Sequence, residues 1–145
     1  ALLLLVSMLP QAASAGVFAF DFAPGAAVTA YDNGDTSWGI GLMLRTRYYF
    51  GSNPVFRFGI ATVTDFRIYI PETLVGVGIE LGSKFLFGLD AGGSYSRLFG
   101  LGVGIVGSIG YLLDEHWSVM FVAVGRMNLG GALFLDYGPR LGVRF

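Results

Sequence analysis

The stretch "WGIGLMLRTRYYF", residues Trp38 to Phe50, alternates with a period of two. Trp38, Ile40, Leu42, Leu44, Thr46, Tyr48 and Phe50 share one face, and Gly39, Gly41, Met43, Arg45, Arg47 and Tyr49 share the other. Successive side chains of an extended chain point to opposite sides, so strict alternation over this length signals a strand. One face holds both charges and both glycines. The other holds no charge at all.

The same division recurs along the chain. Phe56, Phe58, Ile60, Thr62, Thr64, Phe66 and Ile68 oppose Arg57, Gly59, Ala61, Val63, Asp65 and Arg67. Phe18, Phe20 and Phe22 oppose Asp21, and Val75, Val77, Ile79 and Leu81 oppose Gly76, Gly78 and Glu80. Further runs set Phe85, Phe87, Leu89 and Ala91 against Asp90, and Leu101, Val103, Ile105, Ile109 and Tyr111 against a row of glycines. Trp117, Val119, Phe121 and Ala123 oppose Ser118 and Arg126, and Tyr137, Pro139, Leu141, Val143 and Phe145 oppose Gly138, Arg140, Gly142 and Arg144.

Eight strands follow, at roughly 17–30, 38–50, 55–68, 73–82, 85–96, 100–112, 117–127 and 133–145. Turn residues separate them at Asp32-Asn33-Gly34-Asp35, Gly51-Ser52-Asn53-Pro54, Gly82-Ser83, Asp114-Glu115 and Asn128-Leu129-Gly130-Gly131. Connections this short join only antiparallel neighbours. An even number of such strands closes into an up-and-down barrel with both chain ends on one side.

The charges say which way the barrel faces. Asp21, Arg45, Arg47, Arg57, Asp65, Arg67, Glu80, Asp90, Arg126, Asp136, Arg140 and Arg144 fall on the polar face. Asp32, Asp35, Glu72, Lys84, Arg97, Asp114 and Glu115 fall in turns or loops. A charge on a lipid-facing barrel position costs roughly 2–4 kcal/mol at mid-membrane, so a face cleared of charge is what a membrane barrel requires. A soluble ligand-carrying barrel would reverse the faces. Against it stand the glycines of the polar face, which leave room in a narrow lumen for long arginines. Aromatic residues also gather at both strand ends, as they do at membrane interfaces. Tyr48, Phe50, Phe56, Phe85, Tyr111, Trp117 and Phe145 mark one rim, and Trp38, Phe66, Tyr69, Tyr95 and Phe99 the other. The expected fold is an all-β, eight-stranded antiparallel up-and-down transmembrane β-barrel.

Composition agrees. Of 145 residues, 54% are hydrophobic and 13% charged, against about 25% charged in soluble domains. Mean hydropathy is +0.65, yet no apolar run reaches the ~20 residues of a spanning helix. A net charge of −1 offers no footprint for nucleic acid, and the absence of cysteine removes disulfides, thiolate metal sites and cysteine nucleophiles. No cofactor is implied. "ALLLLVSMLPQAASA", residues 1–15, has the apolar region and Ala13-Ser14-Ala15 cleavage pattern of part of a signal peptide. Its removal before Gly16 leaves a barrel domain over 16–145.

The final strand, with Tyr137, Leu141, Val143 and Phe145 on one face, resembles the C-terminal assembly signal of bacterial outer-membrane β-barrel proteins. "GSIGYLLDEHWSVMFVAVGRM" is similar to the hairpin of small OmpA/OmpX-like barrels, in which a glycine-rich strand ends in Tyr and the chain restarts at Trp-Ser after a tight periplasmic turn. The resemblance implies residence in the outer membrane among its lipid and lipopolysaccharide. It also implies insertion by the barrel assembly machinery with periplasmic chaperones, and a monomer. The surface loops are very short, the longest about Tyr31 to Ser37, which leaves little for adhesion or receptor roles.

Candidate chemistry is sparse. Gly102-Val103-Gly104-Ile105-Val106-Gly107 matches a dinucleotide-binding fingerprint but continues a strand, where the fingerprint needs a following helix. His116 is the only histidine, and His116-Trp117-Ser118 is similar to the His-x-Ser of PagL-type lipid A deacylases. A serine nucleophile needs a base oriented by a third group, and the next carboxylate is Asp136. An enzyme is therefore not expected. Eight strands enclose a lumen that side chains just fill. Its arginines and carboxylates are read as an ion-paired network serving a structural barrel. The alternative is a narrow channel favouring small anions, from an excess of two arginines.

Overall fold

The computed structural model describes residues 17–51, 53–67, 70–97 and 99–145, leaving out the side chains of Arg67, Ile70 and Pro71. The signal-peptide reading and Tyr69 lie outside these residues. The strands are β1 (Val17–Tyr31), β2 (Thr36–Tyr49), β3 (Phe56–Arg67), β4 (Ile70–Leu81), β5 (Phe85–Ser96), β6 (Gly100–Leu112), β7 (Trp117–Asn128) and β8 (Leu133–Arg144). They form one closed barrel in sequence order, every neighbour antiparallel, with β8 returning to β1. We call the end that holds Val17 and Phe145 the terminal end and the opposite one the far end.

The polar face is inside. Arg45, Arg47 and Asp90 are exposed by 2%, 1% and 0%, while the outward Phe87 and Phe121 are exposed by 51% and 50%. This inversion of a soluble protein is the transmembrane β-barrel arrangement: lipid covers the apolar exterior, and closure leaves no edge unpaired in hydrocarbon.

Tight turns are built from residues that tolerate them. In the β1–β2 turn the Tyr31 amide donates to Asp35 O and the Gly34 amide to Tyr31 O, with Gly34 at φ +86°. Asn33 Oδ1 accepts the Asp35 amide at 3.0 Å. Gly82 opens the β4–β5 turn at φ +101°, where a Cβ would also collide with the carbonyl oxygen of Phe85. Only glycine fits there without strain.

Closure between β1 and β8 is the least regular pairing. Phe20 and Phe145 exchange backbone hydrogen bonds at 3.1 and 2.9 Å, so alternate residues onward from Phe20 address β8. By that alternation Pro24 faces Leu141 and Ala26 faces Pro139, and neither pair is in the ladder. Proline has no N–H to give. The guanidinium of Arg140 donates to the Ala26 carbonyl instead, from the lumen side. Side chains hold the seam at both ends. Arg144 binds Asp21 across it at 2.6 Å near the terminal end, and Tyr31 meets Phe134 edge-on at 5.8 Å near the far end.

Candidate functional site

The lumen holds two groups of charges with apolar side chains between them. In the group toward the terminal end, Arg47 makes a two-pronged pair with Asp90, Nε to Oδ1 at 2.8 Å and Nη2 to Oδ2 at 2.6 Å. Its Nη1 reaches Glu80 at 2.8 Å and the Tyr49 hydroxyl at 3.2 Å. Arg45 donates to Asp21 at 2.9 Å and to Ser108 at 3.0 Å. Arg144 grips Asp21 at 2.6 and 3.1 Å and Glu80 at 2.9 and 2.7 Å. Arg57 takes the other side of Glu80 Oε1 at 2.7 Å. Glu80 therefore serves three arginines. The planar guanidinium fork suits this bidentate pairing, which fixes geometry as well as charge.

The far-end group joins Arg126, Arg140, Asp65, Glu72 and Asp136. Arg126 contacts Glu72 closely and lies 3.5 Å from Asp136, and Arg140 lies 3.9 Å from Asp65. Asp65 and Glu72 sit directly opposite each other on β3 and β4. Like charges so placed repel, and the arginines offset that. Phe99 and Phe134 pack with ring centroids 4.1 Å apart, and Arg126 lies 5.8 and 5.9 Å from the two rings.

Two sequence expectations are corrected here. Glu72 was expected in a turn, but β4 begins at Ile70, and Glu72 is a buried lumen residue. It shares the inward side of β4 with Leu74 and Glu80, and that parity was the signal available. Among the described residues the lumen then holds six arginines and six carboxylates, so the excess of two arginines expected there is not found. Phe99 was expected in the outer aromatic girdle, but it lies against the inward-facing Phe134 at the lumen's far mouth. The side chain of Arg67 lies outside the described residues.

Between the two groups sit Ala23, Met43, Val63, Leu74, Val106, Met120, Val122 and Val124, all buried. Four strands show the order, whereas on β8 Arg140 is paired with Met120 of the layer itself. On β2 Met43 follows Arg47 and Arg45, and on β3 Val63 precedes Asp65. On β4 Leu74 separates Glu72 from Glu80, and on β7 Val122 and Val124 precede Arg126. Beside this layer lies a cavity of about 10 Å³, bounded by Val63, Leu74, Val106 and Val124 with neighbouring polar groups. A water needs about that much space, and also several polar partners.

Each end of the lumen differs. At the terminal end a vestibule of about 470 Å³ opens, lined in part by Tyr49, Pro54, Arg57, Glu115, His116 and Arg144. His116 Nδ1 lies 3.1 Å from the Arg144 carbonyl, whereas Ser118 Oγ points inward to the Gly142 carbonyl at 3.5 Å. The two residues of the His-x-Ser thus address different carbonyls. Asp114 in the same turn accepts the His116 and Trp117 amides at 2.8 and 2.7 Å, and these bonds hold its carboxyl below the usual carboxylate range. Of the expected assembly-signal residues, Leu141 and Phe145 are exposed, and Tyr137 and Val143 are half-buried.

No family model matches the chain, and no curated protein matches it in sequence. Solved structures do share its fold. Neisserial surface protein A is 12% identical with a TM-score of 0.50, over 89% of this chain and 97% of that one. The de novo designed TMB2.3 is 16% identical with a TM-score of 0.51, over 90% and 94%. At such identities the likeness concerns the fold alone: this chain is an eight-stranded transmembrane β-barrel.

Proposed function

We propose that this chain is a non-enzymatic structural protein of the bacterial outer membrane, OmpA/OmpX-like in kind, whose lumen is plugged and does not conduct. The observation that carries this reading is the apolar layer between two ion-paired groups. An ion crossing it would shed its hydration shell against valine, leucine and methionine side chains, a cost of several kcal/mol even after relaxation. The paired arginines on either side brace the wall by joining strands that are not sequence neighbours, as Arg47 of β2 joins Asp90 of β5. In this reading, residues 1–15 direct export and are removed, the terminal end faces the periplasm, and lipopolysaccharide surrounds the far end. Chaperones and the assembly machinery then engage the exposed face of β8 at Tyr137, Leu141, Val143 and Phe145.

The test is conductance. Folded protein in planar bilayers is expected to show no steady openings in molar potassium chloride. Stable unitary steps that scale with salt concentration would reverse the reading in favour of a narrow channel.

A further inference from the structure

Within the lumen group nearest the terminal end the charges do not cancel. Arg45, Arg47, Arg57 and Arg144 meet Asp21, Glu80 and Asp90, which leaves one positive charge over. Arg45, Arg47 and Arg144 are locked into paired contacts, with side chains exposed by 14% at most. Arg57 is the arginine that meets water, its side chain 27% exposed. It holds Glu80 through Nη1, gives Nη2 to the Pro54 carbonyl at 3.3 Å, and lies 5.7 Å from the Tyr49 ring. A guanidinium has five N–H donors in a fixed plane, so this one retains donors for a further acceptor.

Those donors border the vestibule. Tyr49 and Arg144 line it as well, and Glu115 and His116 stand at its rim. The buried ion pairs behind it and the apolar layer beyond make it a blind recess, and a recess walled by low-dielectric protein focuses the field of the charges that line it, Arg57 and Arg144 against Glu115. At the far end, two cavities among the described residues are about 10 Å³ each, and the recess of about 340 Å³ beside Arg126 is lined mainly by Val103, Ile105, Met127 and Leu133 of the apolar exterior.

We propose that this vestibule binds a small oxyanion, a phosphate or carboxylate group, held by the outer edge of Arg57 with Arg144 behind it. This goes beyond the structural role, and it needs no passage through the lumen. The anionic group can belong to a soluble molecule or to a lipid headgroup folded over the rim. Glu115 opposes binding, because it brings a negative charge to the same mouth.

The experiment is a titration of the full folded chain with inorganic phosphate at constant ionic strength, in neutral detergent, followed by backbone-amide NMR. Saturable shifts are expected at Tyr49, Gly51, Asn53 and Arg57, with Arg126 and Asp136 unmoved. Arg57→Gln is expected to weaken binding at least about tenfold, the loss of charged hydrogen bonds. Glu115→Gln is expected to tighten it about two- to fivefold, which misfolding cannot imitate. In nanodiscs with phosphatidylglycerol and no added phosphate, the same shifts identify a headgroup as the source. Shifts confined to added phosphate identify a soluble one. Non-saturating shifts, shifts spread over both ends, or indifference to both variants would overturn the proposal.

Discussion

Glu80 shows how much can rest on one side chain in a lumen this narrow. Its carboxylate is the common partner of Arg47, Arg57 and Arg144, three arginines from three strands. Breaking a buried pair by removing one partner costs about 3–5 kcal/mol, because the other charge stays buried. Glu80→Ala is expected to destabilise the barrel by about that amount, measured by urea unfolding in lipid vesicles. A change under about 1 kcal/mol would mean that water already enters the cluster. At the residue scale the sequence was legible wherever parity was unbroken, and Arg45, Arg47 and Asp90 needed no more than counting in twos. Glu72 was harder because Pro71 precedes it, and proline inside a strand pattern normally argues for a strand's first residue or an edge. Phe99 lies in a connection, where no period indicates a direction.

Among the elements, the β1–β8 seam is distinctive. Every other neighbouring pair runs through a continuous register, while this one skips the positions of Pro24 and Pro139. Arg140 is thus drawn two ways, toward Asp65 and toward the Ala26 carbonyl. Pro139→Ala would restore an N–H facing that carbonyl. We expect it to add about 1 kcal/mol, a typical net hydrogen bond. Hydrogen exchange should then slow at Val28, and the new amide of residue 139 should itself be protected. Unchanged exchange would show that Arg140 already satisfies the seam as well as a backbone bond would. Strand number, order and closure could be read from alternation and turn chemistry. The seam's weakness could not, because which residues of β1 point their amides at β8 depends on register.

Across the whole molecule, what decides its solvent is the sign of the exterior. Ile105→Arg, at mid-strand on the outer face, is expected to cost about 2–4 kcal/mol of folding free energy in vesicles. Leu113→Arg, in a turn at the terminal end, is expected to cost about 0–1 kcal/mol. Equal costs at the two positions would contradict immersion in a bilayer. The apolar layer across the lumen was hidden from sequence reading for a related reason. A period of two assigns each residue to a face but gives no height along the barrel axis. Met43, Val63, Leu74 and Val106 come together only when the offsets between paired strands set them at one level.

That layer also bears on protons. A proton moves by hopping along an unbroken file of water or titratable groups, and the eight apolar side chains clustered across the lumen offer it neither donor nor acceptor. In the plugged barrel proposed above, charges line the middle of the membrane and yet no proton path is expected to run between them.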